Sequence, residues 1–457
     1  MTGLTSELTL EALPNLPEKP DISHIPGEDG LPIIGTTFKV LRDPQGYTEH
    51  MHKIHGPVYR SYTLGQHTVT LLGPEANELV LFDKGKTFSS ELGWTPTLKR
   101  LFPRGLMLLD FEVHRGHRKT MQAAFKTSAM RSYIESLNEG IKARLKDWTK
   151  TPEFKFYPAI KDLTLNLAAS PFLGIPWGPE ADKINKSFVD MVAATIAPIR
   201  VPLPGTQMAK GVKGRKYMCA YFAQEIPKRR GSDAQDMFTI LCNAKDDDGN
   251  GFSDQEIIDH MNFLMMAAHD TITSSVTSMV YELAKHPEWQ EKLRTEMQAL
   301  EQDGYFPYDK LNDVPLTEMA FKEVLRLHAP VPALPRRAIR DFEFKGHKIP
   351  AGTMVGLNPL FTHRMEDVWP DPDKFDPMRF TTEETAKRHK YAWIPFGGGA
   401  HMCLGLHFAY MQAKVFFYHL LTTHKVELEA NYKPSWRPWP IYKPGDGLPI
   451  RLSPLKS

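Results

Sequence analysis

The segment Phe396-Gly397-Gly398-Gly399-Ala400-His401-Met402-Cys403-Leu404-Gly405 constrains this chain more than any other, because it delivers one cysteine from a glycine-rich loop into an apolar, helix-like run. Successive glycines permit backbone angles, and a close approach to a flat ligand, that any Cβ would obstruct. Gly405 allows a sharp exit into Leu406-His407-Phe408-Ala409-Tyr410. The helix N-terminus expected there would aim amide N–H groups and a positive dipole end at the sulfur, which favours the thiolate. A lone cysteine read without its neighbours would equally suit an inert buried position.

Composition excludes several classes. With 457 residues, 41% hydrophobic and 24% charged, the chain can bury a large core and shows no sign of disorder. Lys plus Arg is 56 against 54 Asp plus Glu, so a net charge of +2 offers no global attraction to nucleic acid or acidic membranes. The three cysteines, Cys219, Cys242 and Cys403, are too few and scattered for a disulfide framework, which fits a reducing compartment. Residues 1–30 lack a basic start followed by an apolar run, so no signal peptide is expected. No run of about eighteen apolar residues suggests a membrane-spanning helix.

Strand-like alternation is visible at Val58–Thr63 and Thr68–Leu72, separated by Gly65. From about residue 115 to 330, apolar residues recur at helical spacing. No repeat or low-complexity block divides the chain, so a short extension over residues 1–24 and one domain over residues 25–457 are expected. Asp246, Asp248, Asn250 and Gly251 fall at calcium-loop positions, but Ile257 stands where a bidentate Glu is required. Ser253-Asp254-Gln255-Glu256 instead predicts a capping box that starts the next helix.

The cysteine loop closely resembles the cytochrome P450 signature Phe-Gly-x-Gly-x-(Arg or His)-x-Cys-x-Gly, with His401 in the slot that more often holds arginine. This resemblance favours a haem ligand over an inert cysteine. It implies haem b ligated through Cys403, with Phe396, Gly397 and Gly405 shaping the loop. It also implies a mainly α fold with a smaller β-rich lobe, α+β overall. Further motifs carry the same resemblance. Ala267-Ala268-His269-Asp270-Thr271 matches the distal-helix motif (Ala/Gly)-Gly-x-(Asp/Glu)-Thr, placing Ala267 over the haem. Reducing dioxygen requires protons at its distal oxygen, so an acid and an alcohol side by side make chemical sense: Asp270 and Thr271 are the expected relay. Ala268 replaces a glycine that helps the helix widen, so the oxygen groove is expected to differ here.

Glu323 and Arg326, three apart on one helical face, would join Arg379 of Pro377-Met378-Arg379-Phe380 in a buried structural network. His114, Arg118, Arg336 and His401 are the expected partners of the haem propionates, with Arg337 the alternative to Arg336. Trp94, Leu106, Met107, Leu108, Val331 and Ala333 would line the substrate pocket beside Ala267.

The resemblance implies a haem-thiolate monooxygenase, expected to be bacterial and cytoplasmic, acting on dioxygen and a small apolar substrate. Electrons would come from a separate ferredoxin and ferredoxin reductase, docking near a basic cluster of Arg115, Lys119, Lys126, Lys387, Arg388 and Lys390. The Arg200–Thr206 loop resembles the branch of sterol demethylases, retinoid hydroxylases and their bacterial relatives, which points to a terpenoid, retinoid or steroid. A fatty-acid hydroxylase, a peroxide-driven relative, and a non-catalytic haem sensor or apolar-ligand carrier are the other readings.

Overall fold

The computed structural model of the chain describes residues 16–455 apart from 64, 149, 151–152, 177 and 301–303. Residues 1–15 of the expected extension therefore lie outside the described residues. In the remainder Ile22, 6% exposed, joins the core of the sheet lobe, while most of its neighbours stay exposed.

Helices dominate because apolar residues repeat at spacings of three and four. Over Thr127–Trp148, Met130, Tyr133, Ile134, Leu137, Ile141 and Leu145 make one buried face. That face belongs to a continuous core shared with the helices Phe156–Leu173, Asp254–Lys285 and Leu406–Thr423. The helix Asp254–Lys285 has 32 residues and so spans about 48 Å. It starts at the expected capping box: the Glu256 N–H donates to Ser253 Oγ at 3.3 Å, and the Ser253 N–H donates to Glu256 Oε2 at 2.8 Å.

The smaller lobe is built on a six-stranded sheet. Its hairpin pairs Val58–Thr63 with Gln66–Leu71, two residues earlier than the second strand was expected to begin. The strands Met354–Leu357 and Leu334–Ala338 continue the sheet beside it. Asp246 folds its carboxylate back on its own loop, accepting from the Asp248 and Asn250 N–H groups at 3.0 and 2.8 Å. Among the described residues, no helix is long and apolar enough to cross a membrane.

At the start of the long helix, burial works to raise the Glu256 carboxyl. Contact with His117, 3.4 Å away, and the Ser253 hydroxyl and N–H outweigh it and hold the group at about 2. A depressed carboxyl stabilises the fold above its unfolded value and loses that contribution as pH falls toward about 2. We expect Glu256→Gln to flatten the acid limb of stability between roughly pH 4.5 and 2, while costing up to about 3 kcal/mol at neutral pH. Urea unfolding across that range checks both.

Candidate active site

The cysteine loop is held by its own backbone. The Cys403 N–H donates to Phe396 O at 2.9 Å, and the Gly397 N–H to Ile394 O at 2.9 Å. Gly397 and Gly399 sit at φ 68° and 62°, in the region that favours glycine. A Cβ on Gly399 would stand 1.8 Å from Leu81 O, so the loop presses against its own chain as well as facing the cavity. Gly405 does not conform to expectation: its φ is −88°, and a Cβ there would meet nothing nearer than Phe125 at 3.8 Å. What matters at Gly405 is its N–H, which points at the sulfur from the N-cap of Leu406–Thr423. Cys403 is exposed to the cavity, yet the protein around it raises its thiol, while the Gly405 N–H and the charge of Arg118 oppose the rise.

Behind the loop, Glu323 and Arg326 are both fully buried and joined by two bonds, Arg326 Nε to Glu323 Oε2 at 2.7 Å and Nη2 to Oε1 at 2.8 Å. The remaining guanidinium donors reach His363 O at 2.9 Å, Pro372 O at 2.6 Å and Lys374 O at 3.2 Å. Arg379 stands farther off, with Nε 3.5 Å from Glu323 Oε1 and Nη2 donating to Asp371 O at 2.9 Å. Sequence reasoning missed His363. Its buried ring accepts from the Ile394 N–H at 2.9 Å, which links the ion pair to the residue whose carbonyl receives Gly397. Burial, reinforced by the charges of Arg326 and Arg364, pushes His363 down to about 3, so it stays a neutral acceptor. No local motif marks it, because its partners lie far away in sequence.

One cavity faces the cysteine. Phe396, Gly397, His401, Cys403 and Gly405 line it on one side, and Ala267, Asp270 and Thr271 of the long helix on the other. His114, Arg118 and Arg336 line its edge. The pleat decides between the two arginines. Arg336 is 7% exposed and faces the cavity, whereas Arg337 donates away from it to Gly352 O and Pro17 O at 3.0 and 3.1 Å. His114 stacks on His401, with centroids 3.9 Å apart. Sequence reasoning also missed Asp110, which accepts from the Ser90 N–H at 2.8 Å and lies 3.8 Å from His401 Nε2.

These groups are short of negative charge. Burial pushes Arg336 down to about 10 despite Asp110, and burial with the nearby arginines pushes His114 to about 4. His114 Nε2 is buried without a hydrogen-bond partner. One buried and one half-buried arginine and an unpartnered ring nitrogen, beside a thiol exposed to the cavity, fit a flat, doubly anionic ligand whose metal takes the sulfur.

On the opposite wall the helix stays α-helical through Ala268, and Thr271 Oγ1 donates to Ala267 O at 2.8 Å. The polar neighbourhood is larger than the motif suggested. Lys161 Nζ lies 3.2 Å and His269 Nδ1 3.0 Å from Asp270 Oδ1. Burial would raise Asp270, but His269 and the Lys161 charge outweigh it and hold the carboxyl well below its ordinary range. His269 was visible as a neighbour in sequence, but Lys161 arrives from another helix.

Trp94, Leu106, Met107, Val331 and Ala333 line the same cavity beside Ala267. Leu108 does not: at 1% exposure it belongs to the helical core. The basic cluster is compensated in part. Arg115 pairs with Glu112 at 3.2 Å, Lys119 with Asp247, and Lys387 with Glu383 and Glu384 at 3.0 and 2.7 Å. Arg388 lies over the Trp369 ring at 4.4 Å. Acidic residues three or four positions away on the same helices, with Asp247 from a loop, thus pair with three of the six cations.

The cytochrome P450 family profile matches residues 25–444. The chain belongs to the cytochrome P450 family. It is 37% identical to the putative cytochrome P450 136 of Mycobacterium tuberculosis, over 99% of this chain and 93% of the relative. It is 28% identical to the taxane 10-beta-hydroxylase of Taxus cuspidata, covering 94% and 89% of the two chains. Among solved structures, it matches the retinoic acid-bound cyanobacterial CYP120A1 with a TM-score of 0.87 and 29% identity, over 94% of this chain and 99% of that one. Membership makes the protein a monooxygenase that uses haem b, and the cavity's cations and thiol fit that group.

The ion pair behind the loop yields a direct expectation. Arg326→Met would leave the Glu323 charge buried beside Arg379 alone, at a cost of about 3–5 kcal/mol. Thermal unfolding together with the haem-to-protein ratio of the purified variant checks this, and unchanged stability with full haem content would contradict it.

Proposed function

We propose that this P450 inserts one atom of dioxygen into a bulky apolar substrate of the terpenoid, retinoid or steroid class, with electrons supplied by a separate ferredoxin and ferredoxin reductase. Residues 25–457 would act as one catalytic domain. The observation that carries the reading is the single cavity with Cys403 on one wall, Ala267 and Thr271 on the other, and apolar side chains such as Trp94, Leu106, Val331 and Ala333 between. The relatives named for a taxane and for bound retinoic acid support the same substrate class.

Within that cavity, Cys403 would ligate the haem iron, and His114, Arg118, Arg336 and His401 would hold the propionates. Bound haem supplies dioxygen activation and transfer of an oxygen atom to a substrate C–H bond, aided by electron donation from the thiolate. The remaining roles fall to side chains. The Thr271 hydroxyl, anchored to Ala267 O, keeps lone pairs free to accept from a water or from a protonated oxygen beside it. Asp270 takes protons from the side of Lys161, whose side chain is 29% exposed, and passes them inward through water to Thr271. Because Asp270 is held ionised, it serves as an acceptor that turns over protons, not as a stored acid. Apolar walls keep bulk water away from the reacting carbon. Glu323, Arg326 and Arg379 act at a distance, by fixing the loop.

The reduced protein with carbon monoxide should show the thiolate-type Soret band, and Cys403→Ala should abolish it while leaving the fold intact by circular dichroism. Asp270→Asn should retain the band and the substrate-induced spin shift but slow turnover by about 10²-fold, with an enlarged solvent isotope effect. Unchanged turnover in that variant would remove Asp270 from the relay. A parent protein that binds apolar ligands but forms no product with any electron source would favour the carrier reading.

A further inference from the structure

Two arginines meet at the cavity's outer end without a carboxylate. Arg200 follows the helix Pro179–Ala194, and its guanidinium donates to Thr195 O on that side and to Pro96 O and Thr97 O, at 2.7 and 3.3 Å, at the end of the helix Ser90–Leu98. Arg100 in turn donates to Arg200 O. Thr97, Leu98, Thr195 and Ile196 line the cavity, so the exposed Arg200 side chain lies across the rim between the two helix ends. The rim beside it is apolar and open: Ile196, Ile199, Val201 and Leu203 are 41%, 51%, 55% and 56% exposed. Among the described residues, neither Arg100 nor Arg200 has an Asp or Glu within salt-bridge distance, although most other arginines here do.

We propose that Arg200 anchors the carboxylate of an amphipathic acid whose apolar body fills the cavity. The proposal deepens the reading given under Proposed function and rests on it. Inside the cavity the cations are Arg118 and Arg336, both at the edge assigned to the haem, and the remaining wall is overwhelmingly apolar. A carboxylate drawn inward would lose its hydration without a partner. At the rim it stays partly hydrated and meets a guanidinium whose charge is undiminished, because neutral carbonyls orient that group without neutralising it. Its N–H donors not taken by those carbonyls, together with its positive charge, can meet a carboxylate oxygen. Anchoring one end at the rim also selects the reacting carbon: the end of the molecule remote from the carboxylate would lie over the haem.

The test is a spin-state titration of the haem-loaded protein with two acid and ester pairs, geranylgeranoic acid with its methyl ester and hexadecanoic acid with its methyl ester. The pairs separate isoprenoid from straight-chain bodies while asking the same question of the anchor. In at least one pair the acid should bind more tightly than the ester, with a preference that weakens as salt is raised. Arg200→Gln should weaken the acid by about tenfold and leave the ester nearly unchanged, whereas Arg200→Lys should keep most of the preference. If Arg200→Gln weakens acid and ester equally, Arg200 merely closes the rim and the anchor is overturned. Equal binding of acid and ester by the parent, or no shift with any of the four ligands, overturns it as well while the carbon monoxide band still stands. Loss of that band in the parent would instead sink the haem-thiolate reading, and the anchor with it.

Discussion

The buried ion pair between Glu323 and Arg326 is the interaction on which the rest of the site depends. Neither side chain touches solvent, and neither is tolerable there without the other. Having neutralised each other, they act as a template. Arg326 gathers the carbonyls of His363, Pro372 and Lys374, and Glu323 takes the Asp376 N–H at 2.9 Å. From His363 the ring reaches Ile394, Ile394 receives Gly397, and Phe396 receives Cys403. The sulfur's position is therefore fixed by a chain of directional bonds that begins at a charge pair far from it in sequence. Glycine in the left-handed region at residues 397 and 399 lets the loop complete that path.

A second balance of charge shapes the cavity edge. His114 and His401 stack with both rings displaced toward neutrality by burial, so the cationic character there comes from Arg118 and Arg336. Asp110 adds one carboxylate beside them, anchored by Ser90. The histidine at 401 thus changes the usual arrangement in kind: it offers a hydrogen-bonding ring near an acid where an arginine would bring a fixed charge. On the opposite wall a carboxylate lies among partners, with Asp270 held ionised by His269 and Lys161. A cationic margin and a paired carboxylate, with an apolar chamber between them, suit a ligand that is anionic at one edge and a reaction that consumes protons at the other.

Much of this was legible in the chain. The helix start at Ser253 was written in the i to i+3 relation of the capping box, and the hairpin in its alternation, because both depend on near neighbours. The cysteine loop could be read because its backbone demands glycine at set intervals. Asp110, His363 and Lys161 were not legible, since each acquires its meaning from a partner on another element. The basic cluster is different: Glu112 lies three residues before Arg115, and Glu383 and Glu384 lie four and three before Lys387, so those pairs are written in local spacing, whereas Asp247 reaches Lys119 from another element.

By itself, the sequence determined a helix-rich domain with Cys403 on a glycine loop and Asp270 beside Thr271 on a helix, because those motifs are short and carry their geometry locally; that the two face each other was implied only by the resemblance to the cytochrome P450 family. The tertiary structure alone decided that Arg336 and not Arg337 enters the cavity, since a strand turns alternate side chains to opposite faces only once its register in the sheet is set. It alone drew Arg200 across the rim between two helix ends, and Lys161 onto Asp270. Charges separated by a hundred residues become partners only when packing removes the water between them.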